Sequence, residues 1–349
     1  MTHLPLAGLT VVEMAGIGPA PYGGLLLQQM GAHVTRIDRV TSSGLGIEIP
    51  ERFDLLNRGK TTVALDLKSA TGQAEAKRLI DAADVVIEGF RPGVMESLGL
   101  CPAAFALSNP KLVYGRVTGW GQDGPLAKAA GHDLNYIAIT GALDAIGEAD
   151  GPPVVPLNLV GDFAGGTLFL IAGVLAAVLA ARESGRGRVV DASIVDGVTN
   201  LLTLQHALHA MGEMSTRRGD NLIDGGAPFY AVYRTADDLW VSIAAVEPKF
   251  YAELIGHMGL SSADLPKQYD RSRWNDLRTI FADAFRTRTR QQWCEVLEGT
   301  DSCFAPVLDI HEAKLHPQIA YRSVLTDAAG VTIPSPAPRF ASLAPESSR

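Results

Sequence analysis

From residue 9 to residue 120 the chain alternates short apolar runs with longer amphipathic ones, and this rhythm constrains the fold more than any other feature. Leu9 to Val12 suits a short buried strand, and a helix is expected over about 20–30. GAHVTRIDR (31–39) reads as a second strand. TTVALDL (61–67) reads as a strand, TGQAEAKRLIDAA (71–83) as a helix, and DVVIEGF (84–90) and KLVYGRVTGW (111–120) as strands. Such alternation implies an α/β fold with an open, mostly parallel, Rossmann-like sheet. In sheets of this kind ligands bind outside the carboxyl ends of the strands.

The first strand runs into VVEMAGIGPAPYGG (11–24), where Gly16, Gly18 and Pro21 spell G-x-G-x-x-P. Glycines after a strand allow a tight turn and close approach of a phosphate, and Asp38 falls about where a ribose-binding acid belongs. The third glycine of a dinucleotide loop is replaced by Pro21. Pro19 and Pro21 fit a helix's first turn, where their missing N–H groups cost nothing. The unit is therefore read as strand, turn and helix, with its ligand open between a nicotinamide and some other anion.

Hydrophobic residues make up 47% of the 349 and charged residues 19%, the balance of a globular enzyme. A net charge of −8 gives no footprint for nucleic acid. Cys101, Cys294 and Cys303 show no metal-type spacing, which favours a reducing, cytoplasmic setting. No signal peptide is visible at MTHLPLAG, and the terminal SSR is not a peroxisomal S-K-L. The uncharged stretch Ala164 to Ala181 is rich in Gly and Ala and reads as a buried core helix rather than a membrane span.

A long helix is expected over about 166–182, a turn and strand over 185–196, and a helix over 198–214. The texture changes at the polar stretch 215–226. A hairpin follows over 229–245, turning near Ala236 to Asp238, and then helices at 248–259, 273–286 and 289–299. The expected organisation is a large Rossmann-like domain over 1–226, rejoined by 316–349, and a small α+β domain over 227–315. The closing PSPAPRFASLAPESSR is expected to lie extended on the surface.

Three segments concentrate candidate chemistry. AGHDLNYIA (130–138) sets His132 and Asp133 beside Gly131. PLNLVGDFAGG (156–166) sets Asp162 before the long apolar helix. VSIAAVEPKFY (241–251) sets Glu247 where a strand gives way to a helix at Pro248. Each has a structural alternative: His132 as a satisfied, partly buried imidazole, Asp162 and Glu247 as helix caps. His206 and His209 share a helical face, but no third metal ligand is evident, so no metal site is expected.

Together with GRVTGWGQDGP (115–125), DGGAPFY (224–230) and PAPRF (336–340), these segments resemble the α-methylacyl-CoA racemase branch of the family III CoA-transferases (CaiB/BaiF), along nearly the whole chain. The resemblance implies a family III CoA-transferase fold and an interlocked homodimer. The active site then lies between the large domain of one chain and the small domain of the other. It implies coenzyme A, as part of the substrate, in place of a nicotinamide, with no separate cofactor. The family's catalytic His, Asp and Glu fall on His132, Asp162 and Glu247. Its CoA contacts fall on Arg39, on Leu65, Asp66, Leu67 and Lys68, on Gly89, Phe90 and Arg91, and on Gly131, Asp133, Leu134, Asn135 and Tyr136. Arg36, Arg58 and Lys60 are further cations that could serve CoA phosphates or simply be solvated surface charges among the interspersed carboxylates.

The implied activity inverts the C2 centre of 2-methyl-branched acyl-CoA thioesters, a step of branched-chain lipid metabolism. Inversion through an enolate requires one group to take the proton on one face and another to return it on the opposite face. His132, oriented by Glu247, would serve one face and Asp162 the other. In a CoA-transferase the same Asp162 would instead be a nucleophile. A third possibility is an acyl-CoA-binding protein without turnover. No nucleic acid or membrane partner is expected.

Overall fold

The computed structural model describes residues 4–41, 44 and 46–343; the N-terminal triplet and the last six residues of the closing Pro/Ser-rich stretch lie outside them. The chain divides into two compact units. The first falls within Met1–Ala142, Pro156–Leu202 and Val324–Arg349, the second within Leu143–Val155 and Thr203–Ser323.

In the first unit the elements run β1 (Thr10–Met14), α1 (Pro19–Gln29), β2 (His33–Asp38), β3 (Thr61–Ala64), α2 (Ala70–Asp81), β4 (Val85–Glu88), α3 (Val94–Ser97), β5 (Val113–Thr118) and α4 (Asp133–Ile139). A π-helical stretch, Leu159–Leu168, then leads directly into α5 (Phe169–Ser184), followed by β6 (Val189–Ser193) and α6 (Ile194–Leu201). Six strands form one sheet in the order β3-β2-β1-β4-β5-β6, every pair parallel. This is the doubly wound order, with its switch point between β1 and β4.

The strands are near-continuous apolar runs because both faces are covered. One face packs Val11, Val34, Val85, Ile87, Val113 and Val117 against Leu26 and Leu27 of α1 and Leu170, Val174 and Val178 of α5. The other packs Val12, Met14, Ile37 and Val86 against Ala76 and Ile80 of α2 and Met95 of α3. Leu159–Ser184 is long and apolar enough to cross a membrane by composition, yet Leu170, Ile171, Val174, Ala177, Val178 and Ala181 of α5 are buried in this core.

In the second unit α7 (Thr203–Ala210) precedes β7 (Tyr230–Arg234), β8 (Trp240–Ala244), α8 (Pro248–His257), α9 (Trp274–Phe285), α10 (Arg290–Leu297) and β9 (Phe304–Pro306), with α11 (Ile310–Leu315) and α12 (Pro317–Tyr321) at its end. β7, β8 and β9 form an antiparallel sheet, and β7 and β8 are the hairpin read from the sequence, with Asp238 in the left-handed region at the turn. The core is aromatic: Phe229, Tyr233, Phe281, Phe285, Trp274 and Trp293 pack together.

The helix expected over 198–214 is two helices. α6 starts earlier, at Ile194, and ends at Leu201, because Ile194 and Val198 are buried while α7 buries none of its residues. The unit boundary falls at that break. A hairpin of β10 (Leu325–Ala328) and β11 (Val331–Pro334), unread in the sequence, returns the chain to the first unit.

One buried ion pair ties the sheet to α1 and the segment before β3. Lys60 Nζ donates to Glu13 Oε2 at 2.7 Å, both side chains 0% exposed, and also to the Pro21 carbonyl at 2.8 Å and Asn57 Oδ1 at 3.1 Å. Gly24 makes room for it: a Cβ there would stand 1.7 Å from Glu13 Oε2. Burial pushes the Glu13 carboxyl up to about 7 and the Lys60 ammonium down, each opposed by the other's charge. Removing one partner leaves an uncompensated buried charge. Lys60→Met is therefore expected to lose about 3–5 kcal/mol in urea denaturation, and adding Glu13→Gln to recover part of it.

Candidate active site

The loop after β1 ends at Gly18, which caps α1 with φ 69°, a conformation open to glycine. A Cβ at Gly18 would stand 3.0 Å from Asp162 Oδ2. The close approach that a dinucleotide loop reserves for a diphosphate is thus taken here by the Asp162 carboxyl group.

Asp162 does not precede its helix, as the sequence suggested, and its side chain makes no cap. It sits in the first turn of the π-helical stretch, whose N-cap position is Asn158. Single π turns are frequent at functional sites because the wider coil re-aims a side chain. The Asp162 N–H donates to Asp133 Oδ2 at 2.7 Å, and Asn158 Nδ2 lies 3.4 Å from Asp162 Oδ2. The Thr167 hydroxyl donates to the Pro19 carbonyl at 2.9 Å and the Asp162 carbonyl at 3.1 Å, tying the stretch to the start of α1. Phe163 packs on Tyr22 of α1 at 4.6 Å between ring centroids. Burial, reinforced by the Asp133 carboxylate, raises the Asp162 carboxyl above the ordinary range, while Asn158 and His132 pull it down.

His132 occupies the N-cap position of α4, where its backbone N–H donates to Asn135 Oδ1 at 3.1 Å, and it is exposed. Asp133, the next residue, is only 5% exposed, and burial raises its carboxyl too. Its side chain is turned inward to hold the Asp162 backbone. Leu134 and Asn135 are exposed. Tyr136 donates its hydroxyl to the Gly131 carbonyl and meets Trp120 edge-on at 4.7 Å. Burial and the nearby Asp162 raise its hydroxyl pKa, opposed by Arg91. His132, Asp133, Tyr136, Asp162 and Arg91 therefore share one electrostatic neighbourhood at the carboxyl edge of the sheet.

The other named positions lie along the same edge. Arg39 follows β2, and the Leu65 N–H donates to the Asp38 carbonyl at 2.8 Å, which sets Leu65–Lys68 beside it. The Lys68 N–H donates to Asp66 Oδ1 at 3.0 Å. Gly89, Phe90 and Arg91 follow β4 at the switch point. Arg39, Lys68 and Arg91 are exposed. Arg36 is paired with Asp38 at 2.6 Å, and Lys60 is buried in its pair with Glu13, so neither reads any longer as a surface cation. Arg58 faces a separate cavity of about 750 Å³ beside β10 and β11.

Sequence reasoning missed a second buried network. Glu88, the last residue of β4, accepts from Arg116 Nε at 2.7 Å and from the Phe90 N–H at 2.7 Å. A glutamate closing the apolar run DVVIE was the available signal, since a charge inside a buried strand needs a partner.

Glu247 belongs to the second unit. It stands at the N-cap position of α8 with Pro248 after it, exposed, and its side chain makes no capping hydrogen bond. The backbone just before it is fixed, because the Val246 carbonyl accepts from Gln268 Nε2 at 2.7 Å and the Tyr269 hydroxyl at 2.5 Å. Capping therefore explains neither carboxylate.

The Asp162 carboxyl is expected to titrate above the ordinary aspartate value of about 3.9 in ¹³C NMR, and Asp133→Asn to lower it. A pKa raised on folding stabilises the fold while the group is protonated and loses that contribution as pH rises through the raised value. The stability of Asp162→Asn should accordingly fall less than the parent's over that window.

The family model for CoA-transferase family III matches residues 6–346. The chain is 43% identical over 334 residues to the alpha-methylacyl-CoA racemase of Mus musculus, spanning 95% of this chain and 86% of that one. It is 40% identical over 338 residues to the Homo sapiens alpha-methylacyl-CoA racemase, with 96% and 86% covered. The acetyl-CoA:oxalate CoA-transferase of Acetobacter aceti is 32% identical over 345 residues, with 95% and 87% covered. Among solved structures, Rv3272 of Mycobacterium tuberculosis matches with a TM-score of 0.79 at 26% identity, covering 97% of this chain and 94% of that one. Matched by the family model over residues 6–346 and by racemase relatives 43% and 40% identical over 95% and 96% of its length, this chain belongs to CoA-transferase family III.

Proposed function

We propose that the protein is a racemase that inverts the C2 centre of 2-methyl-branched acyl-CoA thioesters by proton transfer through an enolate. The observation that carries the reading is the pairing of an exposed imidazole, His132, with a half-buried carboxyl, Asp162, whose affinity for a proton is raised by burial. The two racemase relatives, 43% and 40% identical, support it.

The C2 proton of a thioester is weakly acidic, and an enolate oxygen needs hydrogen-bond donors where its charge develops. In this reading His132 takes the proton from one epimer while neutral Asp162 returns one on the other face. For the opposite epimer the roles exchange, so the same two groups serve both directions, each as base in one and acid in the other. An Asp162 carboxyl with an ordinary pKa would be a poor donor at neutral pH, and burial shifts it in the direction that donation needs. Glu247 orients His132 in this assignment. Arg39, Lys68 and Arg91 hold the CoA phosphates, no separate cofactor takes part, and the working form is an interlocked homodimer in the cytoplasm.

A CoA-transferase would use Asp162 as a nucleophile toward the thioester carbonyl, and the Acetobacter aceti relative supports that second reading. One pure epimer of a 2-methylacyl-CoA, incubated in D₂O without an acceptor acid, separates the two. Racemisation predicts loss of configuration with deuterium entering C2, slowed about 10²- to 10⁴-fold by Asp162→Ala. Transfer of CoA to an added carboxylic acid without C2 exchange, or near-normal racemisation by Asp162→Ala, would overturn it.

A further inference from the structure

The loop Gly89–Gly93 carries Arg91 across the switch point of the sheet, and both its ends are gripped by one side chain. At its start, Glu88 accepts from the Phe90 N–H at 2.7 Å through Oε2 and from Arg116 Nε at 2.7 Å through Oε1. At its far end, Glu96 on α3 receives Arg116 Nη1 at 2.9 Å and Nη2 at 3.2 Å. Arg116 itself rises from β5, the neighbouring strand, and its side chain is 9% exposed, against 0% for Glu88 and 43% for Glu96. Within the loop the Val94 N–H donates to the Arg91 carbonyl at 3.1 Å, and Gly93 takes a φ of 93° to enter α3.

A planar guanidinium with donors on separate edges can bridge two carboxylates, and an ammonium cannot do so with the same geometry. Burying the Arg116 and Glu88 charges is costly, and apolar residues would close this part of the sheet at least as well. What the network adds is a fixed path for the seven residues, 89–95, between its two anchors. The only guanidinium on that path, Arg91, is exposed and lies near enough to act on Tyr136.

We propose that Arg116 is the positioning residue for Arg91, holding the 89–93 loop so that Arg91 meets a phosphate of the CoA portion of the substrate. This rests on the acyl-CoA reading above. Arg116 touches no substrate and acts only through the loop.

The test is calorimetric binding of CoA and of pantetheine, which lacks the nucleotide phosphates, so it does not depend on whether the enzyme racemises or transfers. Arg116→Gln is expected to weaken CoA about tenfold and leave pantetheine unchanged. Added to Arg91→Ala, it should cost nothing more. Arg116→Lys should restore only part of the loss. Glu96→Gln, on the exposed anchor, should weaken CoA about two- to fivefold in a fold left intact, which keeps the test valid should Arg116→Gln fail to fold. Equal losses with CoA and pantetheine, or full additivity with Arg91→Ala, would overturn the positioning role. If Arg91→Ala leaves CoA binding unchanged, Arg91 holds no phosphate and the proposal falls, while proton transfer at C2 stands or falls by its own assay.

Discussion

The hydrogen bond from the Asp162 N–H to the buried Asp133 carboxylate, 2.7 Å long, joins the start of α4 to the π-helical stretch across 29 residues of sequence. The rest of the site depends on it. His132 immediately precedes Asp133, so fixing that carboxylate inside the fold also fixes where the imidazole emerges. The same contact brings a second negative charge near Asp162, whose carboxyl burial and Asp133 together hold toward its protonated form. One interaction thus positions a carboxyl and shifts it toward its protonated form.

The buried charges elsewhere in the first unit follow a common logic. Lys60 with Glu13 and Arg116 with Glu88 both join the ends of strands to the segments beside them, where the carboxyl edge of the sheet opens into loops. Hydrophobic packing alone would close a sheet but leave loop paths loose, because apolar contacts have no direction. Ion pairs with several hydrogen bonds each give those paths a geometry. Their cost is the desolvation visible in the raised Glu13 and Glu88 carboxyls.

Strands and helices with strong periodicity were legible from the sequence. β4, β5, α8, α9 and α10 fall within a few residues of the runs that announced them. What was not legible depended on partners distant in sequence. The break at Leu202 follows from what α6 buries and α7 does not, and no residue near 202 announces it. Lys60 looked like a surface cation because nothing local reveals that Glu13, 47 residues away, receives it. The strands of the β10–β11 hairpin are four residues each, too short for alternation to stand out. His132, Asp162 and Glu247 stood out in their local segments, and their roles came from the family resemblance. That Asp133 holds Asp162, and that the glycine loop shelters a carboxylate, required the fold.

Two-sided proton transfer makes one demand that no binding or single-base scheme makes. With Asp162→Asn, whose amide keeps the shape but cannot carry the proton, His132 alone remains. One epimer should then exchange its C2 proton for deuterium without inverting, while the other stays inert, and His132→Asn should reverse that preference. Chiral analysis with mass spectrometry at C2, on each epimer separately in D₂O, reads this directly. Exchange of both epimers by either variant, or continued inversion by Asp162→Asn, would contradict the assignment of His132 and Asp162 to opposite faces.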